Sequence, residues 1–334
     1  MSSNSTTSIS TRTSKRKSTP VDAAALFKAA APKFVIPSRT TNFGLVPMNI
    51  YLVGCGGTGS HLASNLAAVM SNSDSITGSR IASLTLIDGD TVEPSNCGRQ
   101  LFSSPDIGRP KAEVLALRYT RAFNLQIAFV NTYFKSGPNQ VIPEGTFNKP
   151  TLIVTAVDKA SVRLDIFNWL CNFETSHRQS VFWMDIGNGH RNGQIGIGNT
   201  CDPTQVKEGI GHPFSIEFLP YLGCLNLFSR TIDPRSDEDE IVPGGCVEQV
   251  RAQLQSENVN RIMAALAMEM LSQLLEGKLN RHYLSVDLNS FSMLSQPITE
   301  THLQSVFREM KGNQKAEKTK LSLKAAVLSE GENE

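Results

Sequence analysis

A run of six residues at positions 54–59 could bind a phosphate. The run consists of Gly54, Cys55, Gly56, Gly57, Thr58 and Gly59, and it follows a short β-rich stretch at 49–53. Glycines between a strand and a helix let backbone N–H groups approach a phosphate, and the positive end of the helix dipole strengthens the attraction. The spacing alone fits a nicotinamide or flavin enzyme as well as an ATP-using one.

Charged residues further along the chain separate these interpretations. Asp88 ends the next apolar run and fits an acidic group that binds a ribose, as either class of enzyme requires. Arg99 and Lys111 could stabilise the charge that phosphate oxygens gain during nucleotidyl transfer, and Asp158 could hold Mg²⁺. Each of these residues taken singly could be a surface charge. Their joint occurrence favours phosphate chemistry, for which a dehydrogenase has no evident need.

The elements that must position these residues alternate along the chain. We predict strands at 49–53, 83–87, 126–130 and 151–156, and helices at 60–70 and 111–123. Strands that alternate with helices indicate an α/β fold with a doubly wound, mostly parallel sheet. In such sheets ligands bind at the carboxyl ends of the strands, where the glycine run, Asp88 and Asp158 fall.

The second half of the chain has a weaker pattern. Strands at 181–186 and 193–198 are predicted to form an antiparallel pair, which would extend the sheet at its C-terminal side. The stretch at 202–245 is rich in Pro, Gly and acidic residues and is predicted to be a long crossover loop. A helix with apolar positions between 259 and 274 should end at Gly277, followed by a last strand at 283–288.

The motifs as a set resemble those of a known superfamily. Beyond the glycine run, the chain contains Asp88-x-Asp90-x-Val92, Ser95-Asn96-x-x-Arg99-Gln100, Gly108-x-x-Lys111-Ala112 and Val157-Asp158-x-x-x-x-Arg163. Over roughly residues 46–165 this pattern resembles the ThiF/MoeB and ubiquitin-activating superfamily. The chain further resembles the ThiF-family proteins of bacterial PRTRC plasmid gene clusters, through Trp183–Asn188 with Gly193-Gln194, Cys246-x-Glu248-Gln249 and Gln255-x-x-Asn258-x-Asn260.

The resemblance implies a Rossmann-like adenylation domain that uses ATP and Mg²⁺. The glycine run would bind the ATP phosphates, Asp88 the ribose and Asp158 the metal. The remaining nucleotide contacts would come from Asp90, Asn96, Arg99, Gln100 and Lys111. A small ubiquitin-like β-grasp protein would present its C-terminal carboxylate to the α-phosphate, giving an acyl-adenylate and pyrophosphate. A non-catalytic scaffold that binds partners, and an NAD-dependent oxidoreductase, remain as alternatives.

A cysteine nucleophile for a later thioester step is the least decided residue. Cys246 lies between the crossover loop and the last helix, where the superfamily often has its cysteine, and a helix start favours the thiolate. A small apolar residue at a loop end is an equal alternative. Cys55 and Cys97 are expected to pack inside the nucleotide site. The six cysteines contain no C-x-x-C pair, so no structural zinc is expected.

Composition and charge limit the partners and the location. The formal net charge of +1 argues against a general nucleic-acid binder, and no run of about 18 apolar residues suggests a membrane span. We therefore expect a cytoplasmic protein. The resemblance implies a homodimer and a possible conjugating-enzyme-like acceptor. The expected organisation is a flexible basic extension at 1–45, the adenylation domain at 46–300 and a charged tail at 301–334.

Overall fold

The fold is described from a computed structural model of the chain. It describes residues 30–31, 33–35, 46–135, 141–142, 150–171, 181–200, 204–205, 207, 218–219, 257–308 and 312. Cys246, the N-terminal extension apart from a few positions, nearly all of the predicted crossover loop and all but one position of the tail beyond 308 lie outside these residues.

An eight-stranded sheet forms the centre of the molecule, in the order β10-β9-β7-β6-β5-β2-β3-β4. Its strands are β2 (Met48–Val53), β3 (Ile81–Ile87), β4 (Ile127–Val130), β5 (Thr151–Thr155), β6 (Val181–Asn188), β7 (Asn192–Gly198), β9 (Arg281–Asp287) and β10 (Ser292–Pro297). The strands from β6 through β5, β2 and β3 to β4 pair in parallel, whereas β7, β9 and β10 pair antiparallel. A separate parallel pair joins β1 (Phe34–Val35) to β8 (Phe218–Leu219). The predicted fold class, a mostly parallel sheet with an antiparallel extension, is confirmed.

Helices cover both faces of the parallel part of the sheet. They are α1 (Gly57–Ser71), α2 (Ile76–Ser79), α3 (Lys111–Phe123), α4 (Ala160–Cys171) and α5 (Glu257–Leu275). Alternate residues of each strand face opposite layers, so Ile50 and Leu52 pack with α1, α3 and α5, whereas Ile153 and Trp183 pack with α4. Because both faces are covered, all five residues of β5 are buried.

Most predicted boundaries agree with the structure within a few residues. The helix at 111–123 is confirmed at both ends, and the helix after the glycine run begins at Gly57 because the glycines form its first turn. At the end of α5, Gly277 adopts φ +69°, where the N–H groups of Gly277 and Lys278 donate to the carbonyls of Leu274 and Gln273. The sequence did not predict α4, β10 or the helical residues 300–308.

Candidate functional site

The glycine run forms a tight turn at the carboxyl end of β2. Gly54 adopts φ +94°, and a Cβ there would lie 2.7 Å from the carbonyl oxygen of Ala156, at the end of β5. A Cβ on Gly59 would collide with the carbonyl oxygen of Gly54. Helix α1 begins at Gly57, and the first N–H groups of a helix have no partner within it. The turn therefore brings free backbone donors to the edge of the sheet where the site was predicted.

Asp88 follows β3 and contacts the glycine turn directly. Its Oδ2 accepts a hydrogen bond from the Cys55 N–H at 2.5 Å, and its Oδ1 accepts one from the Asp90 N–H at 2.8 Å. Burial raises the pKa of Asp88, and the two backbone hydrogen bonds oppose that shift. The structure thus brings together the predicted ribose-binding carboxylate and the predicted phosphate-binding turn.

Lys111 lies at the first position of α3 and reaches towards the same turn. Its Nζ donates to Asp90 Oδ2 at 3.0 Å, and the residue is buried at 7% exposure. Burial and Asp88 raise the pKa of the Cys55 thiol, whereas the positive charge of Lys111 lowers it. Within the described ranges the ammonium has Asp90 as its one side-chain partner. Two of its three N–H donors therefore remain available for phosphate oxygens.

The loop between β3 and α3 carries the other predicted phosphate ligands. Asn96 ends a 3₁₀ turn and accepts a hydrogen bond from the Glu93 N–H at 3.0 Å. The Gln100 side-chain amide comes within 4.0 Å of the point where a Cβ on Gly56 would lie. Arg118, on α3, braces this loop by donating to the carbonyl of Leu101 and, at 2.5 Å, to Asp106. The brace fixes the loop beside the glycine turn.

Arg99 is a cation that the described part of the chain does not neutralise. Its side chain is half-buried, and its Nε is buried without a hydrogen-bond partner among the described residues. A buried donor left unpaired costs free energy, so such a group calls for a partner, which can be water, an ion or a ligand. The loop that carries Arg99 is held beside the glycine turn through Gln100, and an anion bound there would satisfy the guanidinium.

Asp158 follows β5 at the same edge of the sheet. The residue before it, Val157, approaches Gly54, with its Cγ1 3.0 Å from the position of a Cβ there. Asp158 itself is exposed. Within the described ranges no group of three or more His, Cys, Asp or Glu residues could hold a metal. Mg²⁺ commonly binds one or two carboxylates together with substrate phosphates, so the residues present fit an ion held jointly with a nucleotide.

Three polar residues that the sequence did not assign also contact this edge. Tyr133, after β4, donates its hydroxyl to Asp90 Oδ1 at 2.6 Å. Asn260, on α5, is fully buried, and its Oδ1 accepts hydrogen bonds from Thr58 Oγ1 at 3.1 Å and Asn188 Nδ2 at 2.6 Å. Asn188 and Asn260 belonged to the motifs of the resemblance without a role, whereas an isolated tyrosine after a strand carries no spacing signal.

A buried ion pair between α4 and β6 holds the carboxyl end of β5. Arg163 on α4 pairs with Asp185 on β6, and Thr155 Oγ1 donates to Asp185 Oδ1 at 2.7 Å. Trp183 Nε1 donates to Thr155 Oγ1 at 3.1 Å. The network fixes the strand from which Asp158 extends.

The predicted cysteines divide into two groups. Cys55 is buried in the glycine turn and Cys97 is half-buried in the loop before Arg99, as expected for packing residues. Cys246 lies outside the described residues, so its proposed role stays a prediction.

Comparison with known proteins identifies the family. Residues 44–306 match the ThiF family, and because the match spans most of the chain, this protein belongs to that family. Ubiquitin-like modifier-activating enzyme 6 of Mus musculus is 31% identical over 119 residues, which are 35% of this chain and 11% of that protein.

Solved structures with a similar chain path are also known. A crystal structure of E. coli MccB with succinimide has a TM-score of 0.47 and 17% identity, covering 75% of this chain and 64% of that one. A crystal structure of PaaA has a TM-score of 0.46 and 19% identity, with the same two coverages, 75% and 64%. The chain thus spans about a tenth of the mouse relative and under two thirds of each of these chains. In the described part of the chain, no helix has the length and apolar character to cross a bilayer.

Proposed function

We propose that this chain is an ATP-dependent adenylyltransferase that activates the C-terminal carboxylate of a small ubiquitin-like β-grasp protein. The observation that carries the proposal is the arrangement around the glycine turn. The Asp88 carboxylate accepts a hydrogen bond from the backbone of this turn, and Lys111 lies within electrostatic reach of Cys55. The adjoining loop carries Arg99, whose Nε has no hydrogen-bond partner among the described residues. Cations and free N–H groups at one helix start favour a polyphosphate, and membership of the ThiF family supports the same chemistry.

The reaction requires positioning and charge stabilisation more than a protein nucleophile. The carboxylate of the carrier, already ionised at neutral pH, attacks the α-phosphorus of ATP while the bond to pyrophosphate breaks. The turn N–H groups and Lys111 would hold the phosphates, and Arg99 would stabilise the charge that develops on them. Asp88 would bind the ribose hydroxyls. Mg²⁺, held by Asp158 and the phosphates, would neutralise further charge on the leaving group.

The ubiquitin-like nature of the acyl donor is the most specific part of the proposal. It rests on the resemblance of the motifs and on the name of the mouse relative, which denotes an enzyme that activates a ubiquitin-like modifier. We further propose a thioester on Cys246 as a second step, residues 46–300 as the adenylation unit, and a homodimer. We also propose that the chain is a ThiF-family protein of a bacterial PRTRC gene cluster.

ATP–pyrophosphate exchange with purified β-grasp candidates tests the proposal. Exchange should depend on the intact carrier and fail with a carrier that lacks its terminal residues. Asp158→Ala should abolish exchange, and Lys111→Met should reduce it about a hundredfold or more, as expected for the loss of a charged transition-state contact. The matched controls are Asp74→Ala, which removes an exposed carboxylate after α1, and Lys278→Met, which removes an exposed ammonium after α5. Exchange should persist in both.

Two outcomes would count against the proposal. If the chain binds ATP but shows no exchange with any β-grasp candidate, a β-grasp protein is not its substrate. Exchange with a short peptide that ends in the carrier's last residues, at the same kcat/KM as the whole protein, would show that the β-grasp fold is not recognised. Capture of a hydroxylamine-sensitive adduct in the wild type but not in Cys246→Ser would support the second step.

A further inference from the structure

Tyr133 occupies a position at the site that the proposed function does not assign. Its side chain follows β4 and is 58% exposed, yet its hydroxyl donates to Asp90 Oδ1 at 2.6 Å. The other carboxylate oxygen of Asp90 accepts from Lys111 Nζ at 3.0 Å. The carboxylate is therefore shared between a neutral donor on the solvent side and the buried ammonium.

The turn after β3 is shaped to accept the tyrosine ring. A Cβ on Gly89 would lie 2.7 Å from Tyr133 Cγ and 2.8 Å from its Cδ1. Only a residue without a side chain lets the ring lie this close to the backbone between Asp88 and Asp90. The contact between hydroxyl and carboxylate thus follows from the packing of ring and turn, in addition to the hydrogen bond.

Several charged groups surround the Tyr133 hydroxyl and the Asp90 carboxylate and shift their pKa values. The hydrogen bond that Tyr133 donates to Asp90, and the negative charge of Asp90, raise the pKa of Tyr133 to about 12, with smaller contributions from burial, Asp88 and Asp158. Burial works to raise the pKa of Asp90, but Tyr133, Lys111 and the charge of Lys159 outweigh it and lower the pKa. Asp90 is therefore ionised at neutral pH, and its negative charge binds the Lys111 ammonium.

We propose that Tyr133 is a positioning residue that orients the Asp90 carboxylate and thereby holds the Lys111 ammonium ready for the phosphates of the nucleotide. The inference rests on the proposed function. Asp90 and the phosphates compete for the same ammonium, and a carboxylate that turns freely would draw Lys111 away from the glycine turn. With Oδ1 held by the tyrosine hydroxyl, Asp90 presents only Oδ2 to Lys111, and the remaining N–H donors of Lys111 stay directed at the ligand.

Measuring the binding of ATP and of adenosine to the full chain distinguishes this positioning role from a direct contact between Tyr133 and the nucleoside. Tyr133→Phe keeps the ring on Gly89 and removes only the hydroxyl. ATP should bind this variant about three- to tenfold more weakly, the range expected for one lost hydrogen bond, whereas adenosine should bind it as it binds the wild type. Isothermal titration calorimetry with ATP and Mg²⁺, and separately with adenosine, measures both. Tyr283→Phe is the matched control, because that hydroxyl also donates one hydrogen bond, to Gln194 at 2.9 Å, on the antiparallel strands.

A double-mutant cycle tests the route through Asp90. In an Asp90→Asn background, Tyr133→Phe should cause no further loss of ATP affinity, because the carboxylate that the hydroxyl orients is gone. Equal losses for ATP and adenosine would overturn the inference, since they would make the tyrosine a wall for the nucleoside. Additive losses in the Asp90→Asn background would overturn it too. A wild-type chain that binds adenosine but gains nothing from the phosphates of ATP would overturn the proposed function together with the inference.

Discussion

The parallel and antiparallel parts of the sheet differ in burial and in whether they carry residues of the candidate site. In the parallel part, β5 is buried along its whole length, and Asp88, Tyr133 and Asp158 follow three different strands at one edge. In the antiparallel part, β10 leaves Met293 and Leu294 exposed at 60% and 71%. Parallel strands end at a common edge, so the residues after them meet, whereas antiparallel neighbours end at opposite edges. The site is therefore built by the parallel part.

Side chains of α5 and β6 connect the two parts near the site. Helix α5, which precedes β9, supplies Asn260 to the glycine turn, where a Cβ on Gly57 would collide with the Asn260 amide. Strand β6 pairs in parallel with β5 and antiparallel with β7, and its Asp185 binds Arg163 on α4. The comparison predicts that changes in the parallel part and at this boundary cost far more than changes in the outer antiparallel strands.

The largest effect is expected at the boundary. Arg163→Met leaves Asp185 as a buried charge without its cation, and the free energy of unfolding should fall by about 3–5 kcal/mol. Urea denaturation measures the change. Arg109→Met is the control: Arg109 is exposed just before α3 and pairs with the partly exposed Glu113, and loss of this pair should cost less than about 1 kcal/mol.

A second substitution decides what the pair contributes. Combining Arg163→Met with Asp185→Leu replaces both charges by apolar groups, and most of the lost stability should return. If Arg163→Met alone costs no more than Arg109→Met, the boundary is not held by this pair, and the division between the two parts would need another physical basis.

A smaller effect is expected from adding one methyl group to a glycine in each part. On Gly59 the new Cβ meets the Gly54 carbonyl, which is backbone and cannot move aside, so Gly59→Ala should cost about 1–3 kcal/mol and weaken ATP binding. On Gly193 of β7 the nearest atom is Met263 Sδ, 2.5 Å away at the end of a flexible side chain. Gly193→Ala should therefore cost less than Gly59→Ala in the same denaturation experiment. Equal costs would contradict the prediction that changes in the parallel part cost more than changes in the antiparallel strands.

The same division explains what could be predicted from the sequence. Strands of the parallel part have apolar runs that are followed by glycine or aspartate. The predicted ends of β2, β3 and β5 therefore lie within two residues of the observed ends. Strand β10 was missed because it contains Ser292, Ser295 and Gln296 beside exposed apolar residues, and its pairing comes from backbone hydrogen bonds to β9. No burial pattern marks such a strand in a sequence.

Within the site, the sequence assigned roles to residues of the spaced motifs, whereas it indicated neither the contact of Tyr133 nor that of Asn260. Arg99 and Lys111 were identified by their joint spacing. The Tyr133 hydroxyl donates to a carboxylate 43 positions away, and the Asn260 amide oxygen accepts from a hydroxyl 202 positions away. Contacts at such separations arise only when the strands are already paired, so a single sequence contains no local signal for them.

A pH-dependent effect is expected in the antiparallel part. His282 on β9 is buried at 1% exposure, with its ring centroid 4.9 Å from that of His302. Burial, and then His302, lower the pKa of His282 to about 3. The unfolded chain binds a proton at this residue below about pH 6.5, and the folded chain does not. The stabilising contribution is therefore complete above pH 6.5 and is lost as the pH falls towards 3, by about 1.4 kcal/mol per pH unit.

The difference between the wild type and His282→Gln isolates this contribution. Denaturation midpoints of both proteins between pH 7 and pH 5 should converge as the pH falls, because the variant has no imidazole at position 282 that could bind a proton in the unfolded state. Parallel pH profiles would mean that His282 has the same pKa in the folded and the unfolded chain, and that burial does not lower it.

The smallest effect is expected on the outermost strand. Leu294 on β10 is 71% exposed, and Leu294→Thr keeps a residue suited to a strand, so the free energy of unfolding should change by no more than about 0.5 kcal/mol. Val154→Thr is the matched change on β5, where the side chain has no exposed surface and a hydroxyl would be buried; it should cost about 1–3 kcal/mol. A loss above 1 kcal/mol for Leu294→Thr would mean that this strand packs against further protein. In that case the antiparallel part would be a second buried layer, and the contrast with the parallel part would no longer hold.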